Sequence, residues 1–164
     1  MARDATARLY DVEDSSVVYT KPDKKGSYDH GSIAFRARKG KLIDLDKLHE
    51  SIWATRLSGG TSSGLVKLDV TAIGKVVADG DRLVLKVPGS KKTFVLTEDS
   101  NAKAGSEQQT AFAKVRAAVD NGESVSITGQ LEGWGGRWPQ VLSQRPANPR
   151  RIFVAKFAKI EVEE

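Results

Sequence analysis

The chain has 164 residues, with 26 Lys and Arg against 21 Asp and Glu, and a formal charge of +5. That length suits one good core or two small ones, not a large multidomain enzyme. It contains no cysteine, which excludes disulfides, thiolate metal sites, iron–sulfur clusters and cysteine nucleophiles.

No run approaches the roughly 18 apolar residues that a membrane span needs. The opening Met1–Arg8 is polar and lacks the apolar stretch of a signal peptide. Cytoplasm is the default expectation, and an exported protein whose leader had been removed would read the same way.

Ser16–Thr20 and Ser32–Arg38 read as two short strands, separated by turn residues and charge in Tyr19-Thr-Lys-Pro-Asp-Lys-Lys-Gly. Lys41–Thr55 reads as a helix: Leu45, Leu48 and Ile52 form one apolar stripe, and Asp44 is placed to cap it. A flexible polar run, Ser58-Gly-Gly-Thr-Ser-Ser-Gly64, then divides the chain. The expected domains are a strand–strand–helix extension over 1–64 and a larger domain over 65–164. The extension alone is too small for a good core and is expected to pack on the larger domain.

In the second part Val66, Leu68, Val70 and Ala72 alternate with polar residues, the period of a half-buried strand. Gly74 interrupts that alternation and predicts a bulge or bend. Asp79-Gly80-Asp81 and Pro88-Gly89 turn the chain into Arg82–Val87, with Leu83, Leu85 and Val87 on one face, and then into Thr93–Thr97. A helix follows, with Ser106 and Gln109 matching a capping box, Phe112, Val115 and Val119 on one face, and Asn121-Gly122 as its stop. Val125–Leu131 reads as a fourth strand and Ile152–Val162 as a fifth. In the fifth, apolar residues sit at odd positions through Phe153, Ala155 and Phe157, then at even ones through Ile160 and Val162. That change of parity predicts a bulge near Lys156.

Three strands, a helix and two strands is the element order of an OB-fold, so the expected class is mainly β: an OB-like five-stranded barrel with one capping helix. An open α+β sandwich is the competing architecture. Before the barrel, the strand Ser32-Ile-Ala-Phe-Arg-Ala and the helix Leu42-Ile-Asp-Leu-Asp-Lys-Leu-His-Glu-Ser-Ile lie in a segment, Gly31–Val77, that resembles the second half of a heavy-metal-associated domain. The resemblance implies a ferredoxin-like strand–helix–strand scaffold. That family's metal site is a Cys-x-x-Cys pair, absent here, so no metal residue and no cofactor is carried over.

Enzymatic constellations are sparse. His30 follows Asp29 in a polar stretch and His49 sits in the first helix, both read as inert rather than as acid–base or metal-binding groups. Gly59–Gly64 lacks the spacing of a phosphate-binding loop, and the serines lie in no nucleophile elbow. The expectation is a non-enzyme.

The informative segment is Gly133-Trp-Gly-Gly-Arg-Trp-Pro139 with Gln144-Arg-Pro-Ala-Asn-Pro-Arg-Arg151, within a stretch from Gly133 to Ile160 that holds no acid. In an OB reading it connects the fourth and fifth strands, one of the loops such folds use to grip oligonucleotides. Trp134 and Trp138 offer stacking faces, and Arg137, Arg145, Arg150 and Arg151 offer phosphate contacts. Lys86 and Phe94, on the second and third strands, are secondary candidates. The competing reading has the two tryptophans plugging the barrel end. The leading expectation is therefore a module for single-stranded DNA or RNA. The alternative is a protein–protein or cell-envelope accessory domain of metal-handling ancestry, showing an exposed apolar patch or sheet edge.

Overall fold

Local capping signals settle both longer helices. Asp44 is extended, and its carboxylate accepts from the Asp46 and Lys47 amides at 3.1 Å each, which starts a helix at Leu45. Ser106 does the same through the Gln109 amide at 3.3 Å. The reciprocal arm of the capping box lands one residue early: the Gln109 side chain accepts from the Gly105 amide at 2.6 Å. The computed structural model describes residues 2–20, 30–39, 41–54, 68–91, 93–132 and 150–161, and the chain divides into two units, Met1–Leu65 and Val66–Glu164. The expected linker, 58–64, lies outside the described residues. Among the described residues no helix is long and apolar enough to cross a membrane.

The first unit contains α1 (Ala2–Ala7), β1 (Asp11–Val12), β2 (Val18–Thr20), β3 (His30–Ser32), β4 (Phe35–Arg36) and α2 (Leu45–Trp53). The single strand expected over Ser32–Arg38 is two strands with different partners: β3 pairs with β2, and β4 with β1. Ser16 explains the break. Its hydroxyl accepts from the Ala34 amide at 2.8 Å, while the Ala34 carbonyl accepts from the Glu13 amide at 3.0 Å. A side chain thus replaces a ladder bond. The unit has a small cluster of its own in Tyr10, Leu48 and Ile52, with Leu9, Phe35 and Ile43 packed against it. Tyr10 stacks on Phe35 with centroids 5.2 Å apart. Its hydroxyl donates to the Asp44 carbonyl and accepts from the Asp44 amide, both at 2.9 Å.

The second unit is mainly β. Strands β5 (Asp69–Asp79), β6 (Arg82–Lys86), β7 (Thr93–Glu98), β8 (Val125–Leu131) and β9 (Arg150–Lys159) form a mixed sheet, with α3 (Glu107–Ala117) between β7 and β8. Hydrogen bonding closes on itself in the order β5-β6-β7-β9-β8, and only β7 and β9 run parallel. β5 makes the closure by changing partner. Asp69–Gly74 pairs with β8 and Lys75–Asp79 with β6. Gly74 stands at the switch because a Cβ there would meet the Lys86 carbonyl carbon at 2.9 Å and Leu85 Cδ1 at 3.3 Å. The bend foreseen at Gly74 is this change of partner.

The fifth strand carries a bulge. Thr128 pairs with Lys156 but Gly129 with Val154, which leaves Ala155 as the extra residue. Its faces are the reverse of the apolar count: Ile152 and Val154 point inward before the bulge and Phe157 after it, while Phe153 faces out. Leu85, Val125, Ile127, Leu131, Ile152 and Val154 have no exposed surface, and each such burial contributes about 1.5–3 kcal/mol. On α3, Phe112 and Val115 are buried as the periodicity implies. The stop comes sooner than Asn121-Gly122. Asp120 takes a positive φ of 55°, its amide donates to the Val76 carbonyl at 2.9 Å, and its carboxylate accepts from the Ala78 amide at 3.3 Å.

Candidate nucleic-acid interface at one rim of the ring

Strand register brings the end of β6, the start of β7, the end of β8 and the start of β9 to one rim. Lys86 pairs with Thr93, Phe94 with Arg150 and Leu131 with Ile152. The Glu132 amide donates to the Arg151 carbonyl at 2.9 Å. The connection from 133 to 149 leaves and returns here. Trp134, Arg137, Trp138 and Arg145 lie in it, outside the described residues.

The described candidates divide by face. Lys86 and Arg151 are exposed and share the outer face, since neighbours across a register share a face and positions along a strand alternate. Phe94 and Arg150 belong to the inner face, in line with Leu85 and Ile152. Phe94 is half-buried there, and Arg150 is only 5% exposed. Arg150 therefore presents almost no surface to a polyanion, and Phe94 is turned away from the outer face on which a base would stack.

Two further features of the outer face were not foreseen. Val84 and Val95 pair on it, yet they are only 4% and 5% exposed, so the centre of this face is covered as well as the inner one. Beside them, Lys75 is the direct register partner of Lys86, and both are exposed. Like charges directly opposite on a sheet are destabilising. Lys91, in the turn between β6 and β7, is also exposed. Glu132 holds its carboxylate 3.8 Å from the Arg151 guanidinium. An exposed pair at that distance contributes little and exchanges readily for another anion.

The edge of this face thus carries Lys75, Lys86 and Arg151, with Lys91 exposed in the adjoining turn, a set of cations that can meet phosphates. Lys75 had no sequence signal, because its opposition to Lys86 exists only once the register is known. His30 and His49 fall in β3 and α2, and their side chains lie outside the described ones. Among the described residues no group of three or more His, Asp or Glu converges as a metal would require. Compared with protein-family models, curated proteins and solved structures, the chain matches none.

Proposed function

We propose that the second unit is an OB-like barrel acting as a non-enzymatic module that binds single-stranded nucleic acid without strong base readout. The strand order, the helix between the third and fourth strands and the partner switch of β5 support the architecture. The observation that carries the function is the Lys75–Lys86 pair. Two lysines held opposite each other against their own repulsion, with Lys91 and Arg151 at the same rim, form a seat for a phosphate backbone. Trp134 and Trp138 are the proposed stacking platforms, with Arg137 and Arg145 beside them in the same connection. Arg150 is assigned to holding the rim rather than to the ligand.

The test is an anisotropy titration of labelled single-stranded DNA and RNA at about 50 and 200 mM salt, with tryptophan fluorescence read in parallel. Affinity that falls steeply with salt, quenching, and a loss of about 1–3 kcal/mol in Trp134→Ala or Trp138→Ala are expected. No anisotropy change at the lower salt overturns the proposal.

One observation favours the second reading, a protein–protein accessory domain. Val17, Val18 and Tyr19 are 41%, 54% and 62% exposed on and beside β2, an apolar run at a sheet edge suited to adding a partner's strand. Under that reading the rim shows no salt-sensitive affinity, and Val18→Lys with Tyr19→Lys abolishes partner binding.

A further inference from the structure

The chain has three asparagines, Asn101, Asn121 and Asn148, and only Asn121 is followed by glycine. The pair sits in the turn between α3 and β8, and both residues are exposed. Gly122 takes a φ of 77°, and a Cβ there would meet nothing within 4 Å, so its peptide lies open to water.

Two contacts fix the Asn121 side chain. Its Oδ1 accepts from the Glu123 amide at 2.9 Å, and its Nδ2 donates to Glu123 Oε2 at 3.3 Å. The orientation of the side-chain amide is forced, because a backbone N–H only donates and a carboxylate only accepts. Lys159 lies 3.2 Å from the same carboxylate oxygen and steadies it. The bond to the amide two residues on closes a ring that contains the Gly122 nitrogen. The side-chain carbonyl is thereby folded back over the peptide nitrogen able to attack it. Among the described residues the Gly122 amide donates no hydrogen bond. Asn101 is arranged otherwise. The amide after it, that of Ala102, is engaged with the Asp99 carbonyl at 2.9 Å and belongs to a residue with a Cβ.

We propose that Asn121-Gly122 is a self-modifying site, at which the folded chain loses ammonia and gains a carboxylate without an enzyme. Hydroxide takes the Gly122 amide proton, and the nitrogen attacks Cγ of Asn121. Negative charge develops on Oδ1, where the Glu123 N–H already points, so the donor needs no rearrangement as the charge forms. The bond from Gly122 N to Cγ forms and the bond from Cγ to Nδ2 breaks. Ammonia leaves after taking a proton from water, which restores the hydroxide and leaves a five-membered cyclic imide. Water then opens one of its two carbonyls. Opening at Cγ gives aspartate, and opening at the main-chain carbonyl gives isoaspartate, with the backbone routed through the side chain. The sum is one water consumed and one ammonia released.

Either product sets a carboxylate between Asp120 and Glu123 in place of the group that donated to Glu123. Isoaspartate also lengthens the main chain next to Asp120, whose amide ties the end of α3 to the Val76 carbonyl. The change runs one way and loosens that end of α3 with time.

The experiment incubates the full chain at neutral and mildly alkaline pH in heavy-oxygen water, beside a free peptide of residues 118–125. Digests are read by mass and by chromatography against aspartate and isoaspartate standards. Heavy oxygen is expected to enter at Asn121, both isomers to appear, and the rate to follow hydroxide. Asn101 stays intact in the same digest, and the folded chain reacts at least as fast as the peptide. Ageing lowers the urea midpoint of the wild type and leaves that of Asn121→Ser, whose side chain forms no imide, unchanged. Asn121 intact after the peptide has reacted, a slower rate in the folded chain, or equal reaction at Asn101 overturns the proposal. An equal loss of stability in Asn121→Ser overturns the consequence for α3.

Discussion

Replacing Lys86 by Gln separates a functional lysine from a structural one, because the two roles move stability and affinity in opposite directions. Two exposed ammonium groups about 8 Å apart in water repel by about 0.5 kcal/mol. Since Lys75 and Lys86 are register partners, Lys86→Gln should stabilise the second unit by about that amount at low salt. The gain should shrink as salt screens the pair. Urea is the denaturant to use, because guanidinium chloride would itself screen the repulsion. The same change should weaken single-stranded DNA binding. If Lys75, Lys86, Lys91 and Arg151 each neutralise one phosphate, at about 0.7 per contact the salt slope is about −2.8, and affinity falls about fifty-fold between 50 and 200 mM. Removing one contact reduces the slope to about −2.1 and that fall to roughly eighteen-fold. A lower urea midpoint, or a salt slope equal to wild type, would refute the reasoning.

Tyr10→Phe removes both bonds to the Asp44 backbone and should cost the first unit about 1–3 kcal/mol. Hydrogen exchange should then lose protection in peptides covering 2–54 and not in 68–132. Burial pushes the Tyr10 hydroxyl above its ordinary value, opposed by its hydrogen bond to Asp44. The protonated form therefore stabilises the fold below about pH 10, and that contribution is lost as pH rises through the folded value. Absorbance titration should show a tyrosine transition above the ordinary range that Tyr10→Phe removes. Gly74→Ala drives a methyl against the Lys86 carbonyl and should cost about 1–3 kcal/mol in urea unfolding. Asp120→Ala should cost about 1–2 kcal/mol through its left-handed φ and the lost bond to the Ala78 amide. Asp120→Asn, which tolerates that φ and keeps an acceptor, should stay near wild type.

Features set by residues near one another in sequence were legible before the structure. Asp44 and Ser106 cap their helices with their own side chains, and a bulge was expected within one residue of Ala155, although the parity that suggested it runs opposite to the faces observed. Features set by distant residues were not. α1 and β1 are too short to show a period, and the strand expected over Ser32–Arg38 divides because Ser16 intercepts the Ala34 amide. Alternation also misleads where both faces are covered. Val84 is buried on the face opposite buried Leu85, and the inward residues of β9 before its bulge are Ile152 and Val154 rather than Phe153 and Ala155. For the site, the cationic character of Lys86 and Arg151 was readable from their residue type. The inward turn of Arg150 and the opposition of Lys75 to Lys86 required the register.

The parallel pairing of β7 with β9 has a consequence for synthesis. Phe94 waits for Arg150 across α3, β8 and the long connection. On the ribosome, β5 to β8 emerge while β7 and β8 each still lack a neighbour, and such unpaired edges are templates for association with other chains. Only the last strand seals both at once. A ribosome stalled before Arg150 would therefore release an aggregation-prone polypeptide, and chaperone demand should peak in that interval.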